Sequence, residues 1–166
     1  MKKLIVISLV LIMIVFTAAC GAGSEEEEGN TQIPNPFIDA ADLTEAAEIA
    51  GFDITVPDRI EGYPEILIQA IKDEMIQVSY YKGEPGDDNY KEVLIRKATG
   101  SDDISGDYNE YSENETAAIA GLDVSLRGEE GMIKVASWTQ DGFAYAIDSS
   151  EGLTREEIEK FIELVK

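Results

Sequence analysis

Two periodicities divide the chain. From Leu153 to Val165 the apolar positions follow helical spacing: Ile158, Phe161, Ile162 and Val165 stand at i, i+3, i+4 and i+7 and make one stripe. Thr154 with Glu157 three residues on is a capping box, and Leu153 with Ile158 supplies the hydrophobic staple. A shorter helix is predicted over Asp42–Gly51. Asp42 caps it, Glu45 completes the box, Leu43, Ala46, Ala47 and Ala50 share a face, and Gly51 closes it. Between these helices the period drops to two. Glu65–Ile71, Met75–Tyr81, Tyr90–Ala98, Thr116–Ile119, Leu122–Arg127, Met132–Thr139 and Phe143–Asp148 read as strands bounded by turn residues. Ile76, Val78 and Tyr80 alternate with Gln77, Ser79 and Tyr81, as a half-buried antiparallel strand requires. Lys72-Asp73-Glu74 and Asp141-Gly142 read as hairpin turns, the latter of the favoured two-residue type. Residues 100–115 are polar and acidic, and are expected to be a long exposed loop. The fold class predicted is α+β: an antiparallel β-sheet of about six or seven strands, packed on one face by an N-terminal and a C-terminal helix. Trp138, Phe143 and Tyr145 are expected to pack under the terminal helix.

The first twenty residues follow neither period. Lys2 and Lys3 precede an apolar run from Leu4 to Phe16 broken only by Ser8, and Thr17-Ala18-Ala19-Cys20 follows. A cationic start, a short apolar run and small residues make a secretory signal; a membrane-spanning helix needs about 20 apolar residues. No Lys or Arg follows until Arg59, which places the remainder of the chain outside the membrane. Thr17-Ala18-Ala19-Cys20-Gly21 resembles a bacterial lipoprotein box. The resemblance implies that Cys20 receives a diacylglyceryl group and that cleavage falls just before it. Each buried methylene then contributes about 0.8 kcal/mol, so two or three acyl chains anchor the protein stably. The expected organisation is a signal peptide over 1–19, lipidated Cys20 with an acidic tether over 20–36, and one domain over 37–166. The tether carries Glu25–Glu28 and two prolines, a composition that repels itself and cannot bury apolar surface.

Composition narrows the chemistry. The chain has 166 residues, 34 acids against 13 bases, a formal charge of −21, one Cys and no His. Without imidazole there is no Ser-His-Asp triad, no Cys-His pair and no His-ligated metal. With a single thiol there is no intrachain disulfide, and lipidation would consume it. A polyanion is repelled by phosphate backbones, so no nucleic-acid partner is expected, and like-charge repulsion favours a monomer. What remains is a carboxylate pair, a Ser-Lys couple or an acidic metal site. Glu84, Asp87 and Asp88 form one acidic cluster and Asp102, Asp103, Asp107 and Glu110 another. A glycosidase holds two carboxyls about 5 to 9.5 Å apart across a groove, and both clusters fall in predicted loops that do not fix such a spacing. Asp103 and Asp107 are the candidate ligands for weak Ca²⁺ binding, through the alternating oxygens of Asp103, Ser105, Asp107 and Asn109. Tyr108 stands where an EF-hand needs glycine and Asn114 where it needs a bidentate glutamate. No resident cofactor is expected.

The order Leu43–Phe52, Val56-Pro57, Glu61-Gly62-Tyr63, Ile119-Ala-Gly121, Trp138–Tyr145 and the closing helix resembles an uncharacterised extracytoplasmic domain of Gram-positive-type bacteria. That family occurs in lipoproteins and in the outer parts of some anti-sigma-type membrane proteins. The resemblance spans roughly residues 40–166. It departs at Asp58-Arg59-Ile60, where the family often has an apolar-Pro pair. The family has no established catalytic residues, so none is carried over. The expectation is a non-enzymatic, membrane-anchored module that binds a protein, peptide or envelope component. Its rivals are a carrier or sensor of an apolar ligand, which needs an internal cavity of several hundred Å³, and a carboxylate-dependent hydrolase.

Overall fold

Local capping fixes both helices where the pattern puts them. In α1 (Leu43–Ala50) the Asp42 Oδ1 accepts from the N–H groups of Thr44 and Glu45 at 2.8 and 2.9 Å, and Glu45 accepts from the Ala41 N–H at 2.7 Å. Gly51 ends this helix at φ +80°, a conformation that costs glycine little. In α2 (Arg155–Leu164) the Thr154 Oγ1 accepts from the Glu157 N–H at 3.3 Å, and the Glu157 carboxylate accepts from the Thr154 N–H at 2.8 Å.

The computed structural model describes residues 34–166, of which 36–166 form one compact unit. Cys20, the leader and the Glu25–Glu28 block lie outside the described residues. Eight antiparallel strands make one sheet: β1 (Ile38–Ala40), β2 (Glu65–Ile71), β3 (Met75–Lys82), β4 (Lys91–Thr99), β5 (Glu113–Ile119), β6 (Leu122–Glu129), β7 (Met132–Gln140) and β8 (Phe143–Leu153). The α+β class holds, but the sheet exceeds the six or seven strands expected. The additional strand is β1, whose three residues are too few to display a period; its pairing with Ala70, Gln69 and Ile68 of β2 defines it.

The strand order is β1-β2-β3-β4-β8-β7-β6-β5. Hairpins account for most of it. Ala120-Gly121, Glu130-Gly131 and Asp141-Gly142 join β5 through β8, with both turn residues at positive φ, as the right-handed twist of paired strands favours. The one long step runs from β4 to β5. These strands are neighbours in sequence but four places apart in the sheet, so the 13 residues 100–112 must pass over β8, β7 and β6. Four inter-strand steps span about 19 Å, well within the roughly 43 Å reach of such a segment. The expected exposed loop is therefore a strap laid on the sheet, with Ser105 buried and Ile104, Asp107 and Tyr111 half-buried.

Alternation gives the sheet two unlike faces. One side carries Ile76, Val78, Tyr80, Val93, Ile95, Leu126, Ala136, Trp138, Tyr145 and Ile147. Ala46 and Ala50 of α1 and Ile158 and Ile162 of α2 complete a single apolar core with them. Trp138 stacks on Tyr145 with ring centroids 5.2 Å apart. Phe143 rests on Phe52 at 4.9 Å, just beyond the end of α1 rather than under α2. The other side is the polar face that the strap crosses.

Candidate functional site

On the polar face the register sets Leu94, Asp148, Val135 and Arg127 in one row across β4, β8, β7 and β6, and Arg96 in the neighbouring row. Alternation alone would leave these charges in solvent; the strap encloses them. Arg96 donates from Nη1 to the carbonyls of Ile104, at 3.0 Å, and Ser105. Arg127 donates to the Asp107 carbonyl at 3.2 Å, to the Ser105 hydroxyl at 3.0 Å and to the Asp103 carboxylate at 3.3 Å. The network continues along the sheet: Arg96 Nε donates to Gln77, Gln77 to Gln69, and Gln69 to Asp39, at 3.1, 2.6 and 2.7 Å. Two guanidinium groups and two amides thus link the strap to five strands, ending at Asp39 on β1.

Asp148 sits between the two arginines. Both its carboxylate oxygens are sealed from solvent, and neither has a hydrogen-bond partner among the described residues. Burial pushes its carboxyl up to about 7; Arg96 and Arg127 pull it down, and Asp107 and Asp103 push it further up. Asp107 moves the other way. Burial pushes its carboxyl up, but the hydroxyl of Tyr111 at 2.7 Å, the Asn109 backbone and side chain and the charge of Arg127 outweigh burial and hold it below its usual range. Both acids line a basin of about 500 Å³ with Glu92, Glu110, Tyr111 and Lys134. Carboxyls displaced in opposite directions are the pattern acid–base hydrolysis uses. Here the raised one lies under the strap.

The acids singled out in the sequence fall into place around this centre. Glu84, Asp87 and Asp88 are exposed in the β3–β4 connection, and Asp102, Asp103 and Glu110 are exposed on the strap. Asp103 and Asp107, the candidate Ca²⁺ ligands, have their oxygens engaged by protein donors: Ser105 N–H and Arg127 on Asp103, and Asn109 and Tyr111 on Asp107. Among the described residues no three carboxylate, thiol or imidazole groups converge as a metal cluster would. Sequence reading missed Arg96, Arg127 and Asp148. Their one signal is a charge amid β-rich residues, and that is also how an ordinary solvent-facing position reads. It missed Lys97 as well, a buried lysine on the core side. Its ammonium donates to the Asp53 carbonyl at 2.7 Å and lies 4.5 Å from the Phe143 ring centroid. Burial lowers its pKa against the opposing pull of Asp53 and Asp141.

A second concavity opens on the helix side. It is a groove of about 820 Å³ between α2 and the segment 57–63, floored by Met132 and the end of β8. Ile60, Tyr63, Leu153, Phe161 and Leu164 give it an apolar lining, and Glu61, Glu151, Glu157 and Lys160 stand at its rim. Its walls are fixed before any ligand arrives. The backbones of Thr55 and Lys166 exchange two hydrogen bonds, the Tyr80 hydroxyl donates to the Pro57 carbonyl, and Ile60 bridges to Tyr63. Burial next to Asp58 holds the Tyr80 phenol protonated, so that bond persists through the physiological range.

No family model, curated protein or solved structure matches the chain. Among the described residues no helix is long and apolar enough to cross a membrane.

Proposed function

We propose that the chain is a lipid-anchored extracytoplasmic module, tethered through Cys20, that binds a protein or peptide without catalysing a reaction. The observation that carries this reading is the preformed groove beside α2. Mostly apolar concavities with a few polar groups at the rim are where ligands bind, and the backbone hydrogen bonds of Thr55 and Lys166 reduce the ordering cost of binding there. The polar basin supports the non-enzymatic part: its raised carboxyl, Asp148, has both oxygens shut away from an incoming substrate. The acidic surface disfavours nucleic acid and fits a monomer.

Two measurements test the proposal. Cells fed an alkyne fatty acid should label the chain, and Cys20→Ala should abolish that label. A photo-crosslinking amino acid at position 164 should capture a neighbour in intact envelopes, whereas the same group at Leu67, on the opposite face of the sheet, should not. Equal capture from both positions would refute the groove as the binding surface. The groove's volume favours one alternative, a carrier of an apolar small molecule. Mass spectrometry of the purified chain separates the two, since a carrier retains a stoichiometric lipid.

A further inference from the structure

The character of the groove's rim narrows the partner. The one cation in the groove's lining, Lys160, pairs with Glu156 at 2.7 Å, the rim carboxylate of Glu151 pairs with Lys91 outside the lining, and Arg59 is exposed on the 57–63 segment outside it. Glu61 has no cationic partner among the described residues, and Glu157 faces the groove from the first turn of α2. The surrounding field has the same sign, because residues 34–166 carry 30 acids against 11 bases. An anionic bilayer is repelled by such a rim, and an acidic segment more so. Leu164, 43% exposed at the outer edge, offers apolar contact without having to leave the core.

The geometry points to a partner-protein segment that is apolar on one side and basic beside it, its apolar side chains seated against Ile60, Tyr63, Phe161 and Leu164 and its Lys or Arg residues over Glu61 and Glu157. This rests on the groove being the binding surface. It adds the chemistry of the occupant: amphipathic recognition in a groove, with charge setting specificity and association rate.

The test uses the full chain in phosphatidylcholine nanodiscs and two dye-labelled 14-residue peptides with identical leucine spacing, one carrying lysines and the other glutamates. A fluorescent fatty acid is a third probe, and empty discs give the baseline. The lysine peptide should bind above baseline by anisotropy and weaken with added salt. Leu164→Ser should weaken it at least tenfold and Glu61→Gln several-fold, while Leu67→Ser on the far face leaves it unchanged. Thermal melting monitored by circular dichroism identifies any variant that loses its fold, and Ile60→Ser repeats the test on the opposite wall. If the glutamate peptide or the fatty acid binds, the lysine peptide does not, and Leu164→Ser abolishes that binding, the groove reading stands and the basic partner is overturned. If no probe binds, or binding ignores both Leu164→Ser and Ile60→Ser, both readings fall.

Discussion

The two faces of this sheet solve opposite problems with the same strands. On the helix side, Ile158 and Ile162 of α2 and Val93, Ile95 and Ile147 of the sheet leave water together, and the groove is what remains where α2 and the 57–63 segment do not quite meet. That face is assembled from apolar side chains whose individual neighbours matter less than their volume. On the strap side, Arg96, Arg127 and Asp148 are enclosed by a chain segment with little apolar surface of its own, held by directed hydrogen bonds. Such a polar network is specific where it is satisfied and costly where it is not. Asp148 is the member that is not. The proposed binding groove and the buried Asp148 carboxyl therefore lie on opposite faces of the sheet, so ligand binding at the one and proton binding at the other are separable by substitution.

The largest expected effect comes from attacking the helix side. Ile158 is only 1% exposed, at the centre of the α2 stripe. Ile158→Ala removes its packing and opens a cavity, costing about 2 to 5 kcal/mol. Urea unfolding should show this, and the groove should lose affinity for any probe because α2 is one wall. The Asp148 titration should stay where it was. If the carboxyl shifted with the helix, the two faces would be energetically coupled.

Asp148→Asn tests the other face, with a sign that depends on pH. The folded-state pKa is raised, from 3.8 to about 7. Below the lower value folded and unfolded chains are both protonated, so the substitution changes little. As pH rises between the two values the unfolded chain ionises first, and the wild-type carboxyl loses stability steadily; above about 7 the loss levels off. The asparagine variant should therefore match the wild type near pH 4 and exceed it at pH 8 by about 2 to 4 kcal/mol. A constant difference across that range, measured by urea titration, would show that the Asp148 carboxyl is not raised by burial. Arg96, Arg127, Asp103 and Asp107 are the charges that face it, and they are unchanged in the variant.

The same contrast explains what could be read from sequence. Both helices were legible because their signals are local: Asp42 with Glu45, and Thr154 with Glu157, lie within one turn. The strand alternation of Ile76, Val78 and Tyr80 was legible for the same reason. The strap was legible as a mostly exposed loop, but its path was not: its polarity describes composition, whereas its course over the sheet follows from β5 lying at the far edge, four strands from β4. Arg96, Asp148 and Arg127 come from strands separated by dozens of residues, and no spacing rule brings them together. β1 escaped because its pattern exists only in register with β2. The groove too is non-local, since Ile60 and Leu164 line one concavity only once α2 has docked.

Tyr111→Phe is the smallest of these changes and the most local. The phenol donates to Asp107 Oδ2 at 2.7 Å, while Asp107 also accepts from the Asn109 backbone at 2.8 Å and side chain at 3.2 Å. Deleting one hydroxyl leaves Asp107 with donors, so no buried charge is stranded and the cost should be about 1 kcal/mol. The informative readout is the carboxyl itself. Burial pushes Asp107 up, and the Tyr111 hydroxyl heads the groups that pull it down. Without that hydroxyl, the ¹³C-carboxyl titration of Asp107 should move upward, and Asp148 should stay near its raised value because the charge beside it is unchanged at neutral pH. If Asp107 did not move, its carboxylate would be held down by the Asn109 donors and the charge of Arg127 rather than by the Tyr111 hydroxyl.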